Sequence, residues 1–263
     1  MILNINIVDA FTSVAFKGNS AAVLITEHNL SDELMQNIAI ENNLSETAFV
    51  KPLAKNSFQI RWFSPITEID FCGHATLAAA FTLFAQDKSL LQVVFQTLHV
   101  GELTVKRKND GLIEMSFPNC APKHVDHIPE DLLNGLSIKP KQVLKNQQAY
   151  FAVYEHESDV IQVVQNSNEL KKLKPYDVVV TAPASKYDFI SRYFWPANGG
   201  DEDPVTGSIH AGLAPFWAKQ LNKDNLSAYQ ASQRGGELTC RISDDRVLVS
   251  GKAVQYLQGT ITV

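Results

Sequence analysis

A glutamate between apolar neighbours, a histidine opening an apolar run, and an aspartate followed five residues later by a serine are the parts of this 263-residue chain that could move protons. Glu46 stands in Asn42-Asn43-Leu44-Ser45-Glu46-Thr47-Ala48-Phe49, and His74 in Cys72-Gly73-His74-Ala75-Thr76. Asp203 and Ser208 stand in Asp201-Glu202-Asp203-Pro204-Val205-Thr206-Gly207-Ser208. Taking a proton from carbon requires a base held away from water. A carboxyl group in an apolar pocket near a second acid has its pKa raised toward neutrality, where it can both take and return a proton. Glu46, between Leu44 and Phe49, meets that description. Each residue also has an ordinary structural reading. A glutamate ahead of a strand is a solvated loop acid, and a histidine at a helix start bonds to a neighbouring loop. An aspartate or serine there caps the helix or sits on the positive end of its dipole. Residue type alone leaves both readings open.

Composition narrows the partners. A net charge of −5 without a basic run argues against nucleic acid and against an anionic membrane surface, since both need clustered Lys and Arg. No apolar stretch approaches the roughly 20 residues that span a bilayer. The opening Met1-Ile2-Leu3-Asn4-Ile5-Asn6 alternates like a strand and has no basic leader. Three scattered cysteines, Cys72, Cys120 and Cys240, fit a reducing compartment, and a cytoplasmic location is expected. No metal site is expected, because the close pair His124 and His127 lacks a nearby third ligand. No cofactor is expected either: the chain lacks both Gly-x-x-x-x-Gly-Lys-Ser/Thr and Gly-x-Gly-x-x-Gly. Gly199-Gly200-Asp201-Glu202 resembles the start of the nucleotide-cyclase signature but runs into Asp203-Pro204 and a helix instead of a hairpin turn. A hydrophobic fraction of 45% against 19% charged is enough to build a core, and the expected partner is a small molecule.

The elements that must position these residues are legible from periodicity. Strands are expected at Asn4 to Asp9, Ala21 to Ile25, Thr47 to Lys51 and Gln59 to Phe63, with a helix from Asp32 to about Glu41 capped by Ser31. The run from Ala75 to Ala85 is apolar nearly all round, the mark of a buried core helix. Leu103 to Phe117 alternates about Asn109-Asp110-Gly111, a hairpin signal because these residues tolerate the positive φ of a tight turn. The second half repeats the theme, with strands near Ala149 to Tyr154, Asp177 to Thr181 and Asp188 to Phe194. A helix from about Ser208 to Gln220 and a hairpin turning at Asp244-Asp245 follow. Arg61-Trp62-Phe63-Ser64-Pro65 leads through acidic residues into Gly73-His74 and an apolar helix. Arg192-Tyr193-Phe194-Trp195-Pro196 leads likewise into Gly207-Ser208. This frame predicts a duplication into two lobes, residues 1–117 and 118–263. An approximate two-fold would turn the two glycine-marked helix N-termini toward one cleft, where backbone N–H groups hold a carboxylate. The placement of the final segment, Gly251 to Val263, is open, with a return to the first lobe among the possibilities.

Four motifs in order then carry a resemblance. Val8-Asp9-Ala10-Phe11-Thr12 with Gly18-Asn19, Leu44-Ser45-Glu46-Thr47-Ala48-Phe49, Gly73-His74-Ala75-Thr76 and Asp203-Pro204-Val205-Thr206-Gly207-Ser208 together resemble the phenazine-biosynthesis PhzF-like family, from about residue 7 to 212. The resemblance implies an α+β fold shared with diaminopimelate epimerase: two pseudo-symmetric lobes, each a curled, mainly antiparallel sheet around a central helix. It implies a cofactor-independent isomerase that shifts a proton between carbons of a small, cyclic or unsaturated carboxylate or amino acid, as the founding enzyme of the family does in phenazine synthesis. The matching catalytic roles fall on Glu46 as proton carrier, with His74, Asp203 and Ser208 around the substrate; Gly73, Thr206, Gly207 and Asn19 are its contacts. A homodimer follows by the same analogy. Ser20 stands where the family usually has proline, which leaves that turn less rigid. Racemases of the fold use two facing thiols. Cys72 offers one, but Asp203 to Gly207 holds no second, so Cys72 reads as a small buried hydrophobe. An epimerase of the same fold with Asp203 as second base, and a binding protein that keeps the fold without turnover, are the alternatives.

Overall fold

The computed structural model describes residues 1–263, which divide into two compact units: Met1–Ser116 with Ser250–Val263, and Phe117–Val249. The last segment therefore belongs to the first unit.

In that unit the strand Ile2–Ala10 pairs antiparallel with Asn19–Ile25 (Ala10 opposite Asn19) and with Ala253–Thr262 (Ile2 opposite Thr262). The link between the first two strands depends on Gly18. Its φ of 66° lies in the left-handed region, and a Cβ there would sit 2.1 Å from the Ala10 carbonyl oxygen. Ser20, read from the sequence as a turn position, is a paired strand residue opposite Asp9, so no turn is loosened by the missing proline. Ser31 caps the helix Asp32–Asn42, its hydroxyl accepting the Leu34 N–H at 3.2 Å, and Asn43 ends that helix in the left-handed conformation. The helix is the crossover that lets Asn19–Ile25 run parallel to Glu46–Ala54, with Ala21 opposite Glu46. Ser57–Phe63 returns antiparallel; Glu68–Ile69 pairs with its end and Gln92–Gln96 runs parallel to its start. Glu102–Arg107 and Ile113–Pro118 form the expected hairpin, with Gly111 at φ 83°.

The helix Gly73–Gln86 packs against Ile2–Ala10, Asn19–Ile25 and Glu46–Ala54. It has almost no polar face, and its two threonines satisfy their own hydroxyls: Thr76 donates to the Cys72 carbonyl at 2.6 Å and Thr82 to the Ala78 carbonyl at 2.9 Å. Burying a large apolar side chain contributes about 1.5–3 kcal/mol. Leu77, Leu83 and Phe84 therefore anchor the helix and, with it, the residues at its N-terminus.

The second unit repeats the order. Gln142–Lys145 pairs antiparallel with Ala149–Val153, which runs parallel to Asp177–Pro183 with Ala149 opposite Asp177. Phe189–Phe194 returns antiparallel, pairs with Glu202–Asp203 and runs parallel to Asn225–Gln230, which pairs antiparallel with Gly236–Ser243. Asp244, at φ 53°, turns the chain into Arg246–Gly251. Each unit is thus a mainly antiparallel sheet with one long buried helix, an α+β fold. In the second unit that helix is His210–Leu221. Gly207, Ser208 and Ile209 form a turn ahead of it, so the helix starts later than the sequence suggests and Ser208 is not a first-turn residue. Pro215 lies inside it and leaves the Ala211 carbonyl without its helical donor. That carbonyl accepts the Cys120 N–H at 3.0 Å instead.

The repeated Arg-aromatic-Phe frame is one piece of structure made twice. Arg61 donates to both oxygens of Glu68 (2.7 and 2.6 Å) and lies 5.1 Å from the Phe63 ring centre. Arg192 donates to both oxygens of Glu202 (2.8 and 2.8 Å) and lies 5.0 Å from that of Phe194. The acid of Gly199-Gly200-Asp201-Glu202 therefore pins a strand. No helix is long and apolar enough to cross a membrane.

Candidate active site

Asn19, Glu46, Gly73 and His74 lie in the first unit; Asp203, Thr206, Gly207 and Ser208 lie in the second. Each group has its own geometry.

Glu46 opens its strand soon after the left-handed Asn43, and Asn42 Nδ2 reaches Thr47 Oγ1 at 3.1 Å, tying helix end to strand start. His74 is the second residue of the buried helix. Glu46 Oε2 lies 2.8 Å from His74 Nε2, and the two side chains are only 12% and 5% exposed. No donor is aligned on that oxygen with good hydrogen-bond geometry, so the contact is a close charge pair more than a fully formed bond. A buried oxygen left in that state costs stability. On the other ring nitrogen, Nδ1 sits 3.1 Å from Asn19 Nδ2 and 3.4 Å from Cys72 Sγ. Ser45 Oγ donates to Asn19 Oδ1 at 3.4 Å, which turns the amide nitrogen toward the ring. With Nδ1 accepting from Asn19, the neutral ring carries its hydrogen on Nε2, facing Glu46.

Burial alone would lower the His74 pKa, but the Cys72 sulfur and the Glu46 carboxylate outweigh it and hold His74 well above its ordinary value. Burial and the Glu46 charge push the Cys72 thiol up to about 11. Cys72 is therefore neutral near pH 7, and Glu46 is the group that keeps His74 basic. The cluster sets the Glu46 carboxylate against the His74 imidazole, with a protonated thiol beside them. Glu46, Cys72 and His74 each place a ligand atom within 4.8 Å of the others, and their types would suit zinc. Both ring nitrogens already face protein partners, so a metal ion would have to displace Glu46 or Asn19 from the ring. His124 is exposed beside Gln142 Nε2 at 3.3 Å and does not join this group.

In the second unit Asp203 sits opposite Tyr193 on its short strand. It accepts the Thr206 hydroxyl at 2.5 Å, and the helix N-cap, Ile209, has no side-chain cap, so Asp203 braces the loop and does not cap the helix. The Thr206 N–H donates to Gln230 Oε1 at 2.9 Å, and Gln230 Nε2 donates to the Asp203 carbonyl at 2.8 Å. Both Thr206 donors are thus engaged within the protein, where the sequence reading had them meeting a substrate carboxylate. Gly207 and Ser208 follow in the turn, and Ser208 Oγ accepts from Gln148 Nε2 at 3.0 Å. His210 is fully buried; burial lowers its pKa to about 4, its contact with the Thr206 carbonyl offsetting only part, so it is a neutral, structural ring. Gln230 and Gln148 escape sequence reading because a lone glutamine carries no motif. Asp177 did leave a signal: it precedes Arg192 by fifteen residues, as Glu46 precedes Arg61.

The family model for phenazine biosynthesis-like proteins, PhzC-PhzF, matches residues 8–259. The chain belongs to that family. An uncharacterized isomerase of Halalkalibacterium halodurans is 42% identical over 99% of both chains, and one of Pseudomonas aeruginosa is 43% identical over 99% of both. The crystal structure of a PhzF family protein from Enterococcus faecalis matches with a TM-score of 0.95 at 41% identity, over 100% of both chains. A hydroxyproline epimerase from Agrobacterium vitis shares the fold alone, with a TM-score of 0.61 at 10% identity over 99% of this chain and 91% of that one. Membership of the phenazine biosynthesis-like family places the chain among the isomerases.

Proposed function

We propose that the protein is a cofactor-independent isomerase that moves a proton between carbons of a small, cyclic or unsaturated carboxylate, with Glu46 as acid/base. The observation that supports this best is the buried Glu46 oxygen, 2.8 Å from His74 Nε2 and without an aligned hydrogen-bond donor. In this reading Glu46 takes a proton from a substrate carbon made acidic by adjacent unsaturation, and the electron pair shifts along the double bond. Glu46 then returns the proton to a second carbon. One C–H bond breaks and one forms, so no oxidant or reductant is consumed. His74 steadies the charge on Glu46 through both steps, and Asn19 holds the ring. Asp203 and Ser208 keep the supporting places that family resemblance gives them, and Gly73 and Gly207 keep backbone contacts to the substrate. The epimerase reading asks for a second base; the raised pKa of Cys72 speaks against the thiol in that role. A homodimer and a cytoplasmic location complete the proposal, and light scattering on a sizing column tests the dimer.

The deciding experiment is isotope uptake from heavy water with a panel of small amino acids and cyclic unsaturated carboxylates, read by mass and by chiral chromatography. Wild type should incorporate deuterium and yield a shifted double bond, whereas Glu46→Gln should do neither. Equal turnover in both would remove Glu46 from the mechanism, and inversion of a stereocentre in place of bond migration would select the epimerase.

A further inference from the structure

The second unit holds a chain of side chains, built around the buried Tyr193, whose hydrogen positions follow from one end of it. Asp177, the first residue of its strand, accepts Tyr193 Oη on Oδ2 at 2.6 Å and Asn198 Nδ2 on Oδ1 at 2.8 Å. Tyr193 is 3% exposed. Gln148 Nε2 lies 3.0 Å from Tyr193 Oη and 3.0 Å from Ser208 Oγ. An ionised carboxylate only accepts, so the single hydroxyl hydrogen of Tyr193 is committed to Asp177. The tyrosine oxygen can then only accept from its other neighbour, and the Gln148 atom facing it has to be the amide nitrogen. That nitrogen directs its second hydrogen to Ser208 Oγ. Ser208 is thereby occupied as an acceptor, while none of its contacts takes its own hydrogen.

We infer that Asp177, Tyr193 and Gln148 are positioning residues that fix Ser208 as a hydrogen-bond donor, and that the group it receives is the carboxylate of the substrate. The inference rests on the proposed function for the presence of a carboxylate substrate, and on hydrogen-bond geometry for the direction of the chain. Two further observations support it. Burial and the Asp177 charge raise the Tyr193 pKa well above its ordinary value, so the phenol keeps the hydrogen the chain requires. The duplicated scaffold also places an amide against the residue after the glycine that leads into the buried helix in both units: Asn19 on His74, inside the first helical turn, and Gln148 on Ser208, in the turn ahead of the helix.

Two measurements test the chain. A neutron structure of the deuterated protein should show the Tyr193 deuterium between Oη and Asp177, both Gln148 amide deuteriums spent on Tyr193 and Ser208, and the Ser208 deuterium pointing away from Gln148. A reversed order, with Ser208 donating into Gln148, overturns the inference whatever the isotope-uptake experiment finds. NMR titration with cyclohexene-1-carboxylate gives the second reading. Gln148→Met and Ser208→Ala should each weaken binding about tenfold, the size of one lost hydrogen bond to a charged group, and the double variant should be no weaker than either. Tyr193→Phe should weaken it less. Loss in Ser208→Ala with none in Gln148→Met, or full additivity of the two, would refute the positioning role. Absence of binding even by wild type would count against the carboxylate, leaving the neutron map to decide the chain's direction.

Discussion

The two units lay down the same strands in the same order, each with a parallel pair, an antiparallel return, a bidentate Arg-Glu clamp and a buried helix, yet they present different chemistry at matching positions. Glu46 and Asp177 each open the strand fifteen residues ahead of the clamp arginine. Glu46 meets an imidazole 2.8 Å away, while Asp177 is closed off by Tyr193 at 2.6 Å and Asn198 at 2.8 Å. After the glycine that leads into the buried helix the first unit carries His74 and the second Ser208. The backbone of a duplicated scaffold fixes where a functional group stands. The few side chains around that group decide whether it can exchange a proton or only accept fixed hydrogen bonds.

That contrast can be broken most directly at the two acids. Glu46→Gln should reduce turnover by about a thousandfold, the range of a lost general base, whereas Asp177→Asn should cost about tenfold and mainly in KM. Comparable losses in kcat at both positions, measured on the substrate found by isotope uptake, would mean that both acids move protons.

The buried histidines sharpen the comparison, because their pH signs are opposite. The folded pKa of His74 is raised above its unfolded value near 6.5, so the stability it lends is complete below that pH and is lost as pH rises through the folded pKa. His210 falls from 6.5 to about 4, so the unfolded chain binds more protons in between. Its contribution is complete above pH 6.5 and declines by roughly 3 kcal/mol as pH drops to about 4. Urea denaturation across pH 4 to 9 should show His74→Gln flattening the alkaline limb and His210→Gln the acid limb. One variant flattening both would contradict the assignment. The clamps give the smallest effect: Arg61→Lys and Arg192→Lys should each lose about 2 kcal/mol by trading a bidentate pair for a point charge, and clearly unequal losses would end their equivalence.

Much of this was legible in the sequence because it is local. Alternation marked the strands, the all-round apolar run marked Gly73–Gln86, Ser31 marked a cap, and the repeated arginine frame marked the duplication. What escaped depends on contacts distant in sequence. Thr206 looked like a substrate ligand until Gln230, twenty-four residues on, was seen to take its N–H. Ser208 looked like a helix residue because Gly207-Ser208-Ile209 has no strong breaker after it, yet those residues form a separate turn. Gln148 lies sixty residues before the serine it contacts, a pairing that only the folded sheet creates.

The strand Ala253–Thr262 has a consequence for how the molecule is made. Its partner Ile2–Ala10 leaves the ribosome roughly 240 residues earlier, and at ordinary synthesis rates it waits on the order of tens of seconds for this neighbour. Meanwhile Phe117–Val249, continuous in sequence, has already emerged whole. Until then the first strand has an open edge able to recruit strands of other chains. The nascent protein is therefore exposed to misassembly at Ile2–Ala10 until Ala253–Thr262 is made, and a nonsense change ahead of that late strand would be felt about 240 residues earlier in the chain.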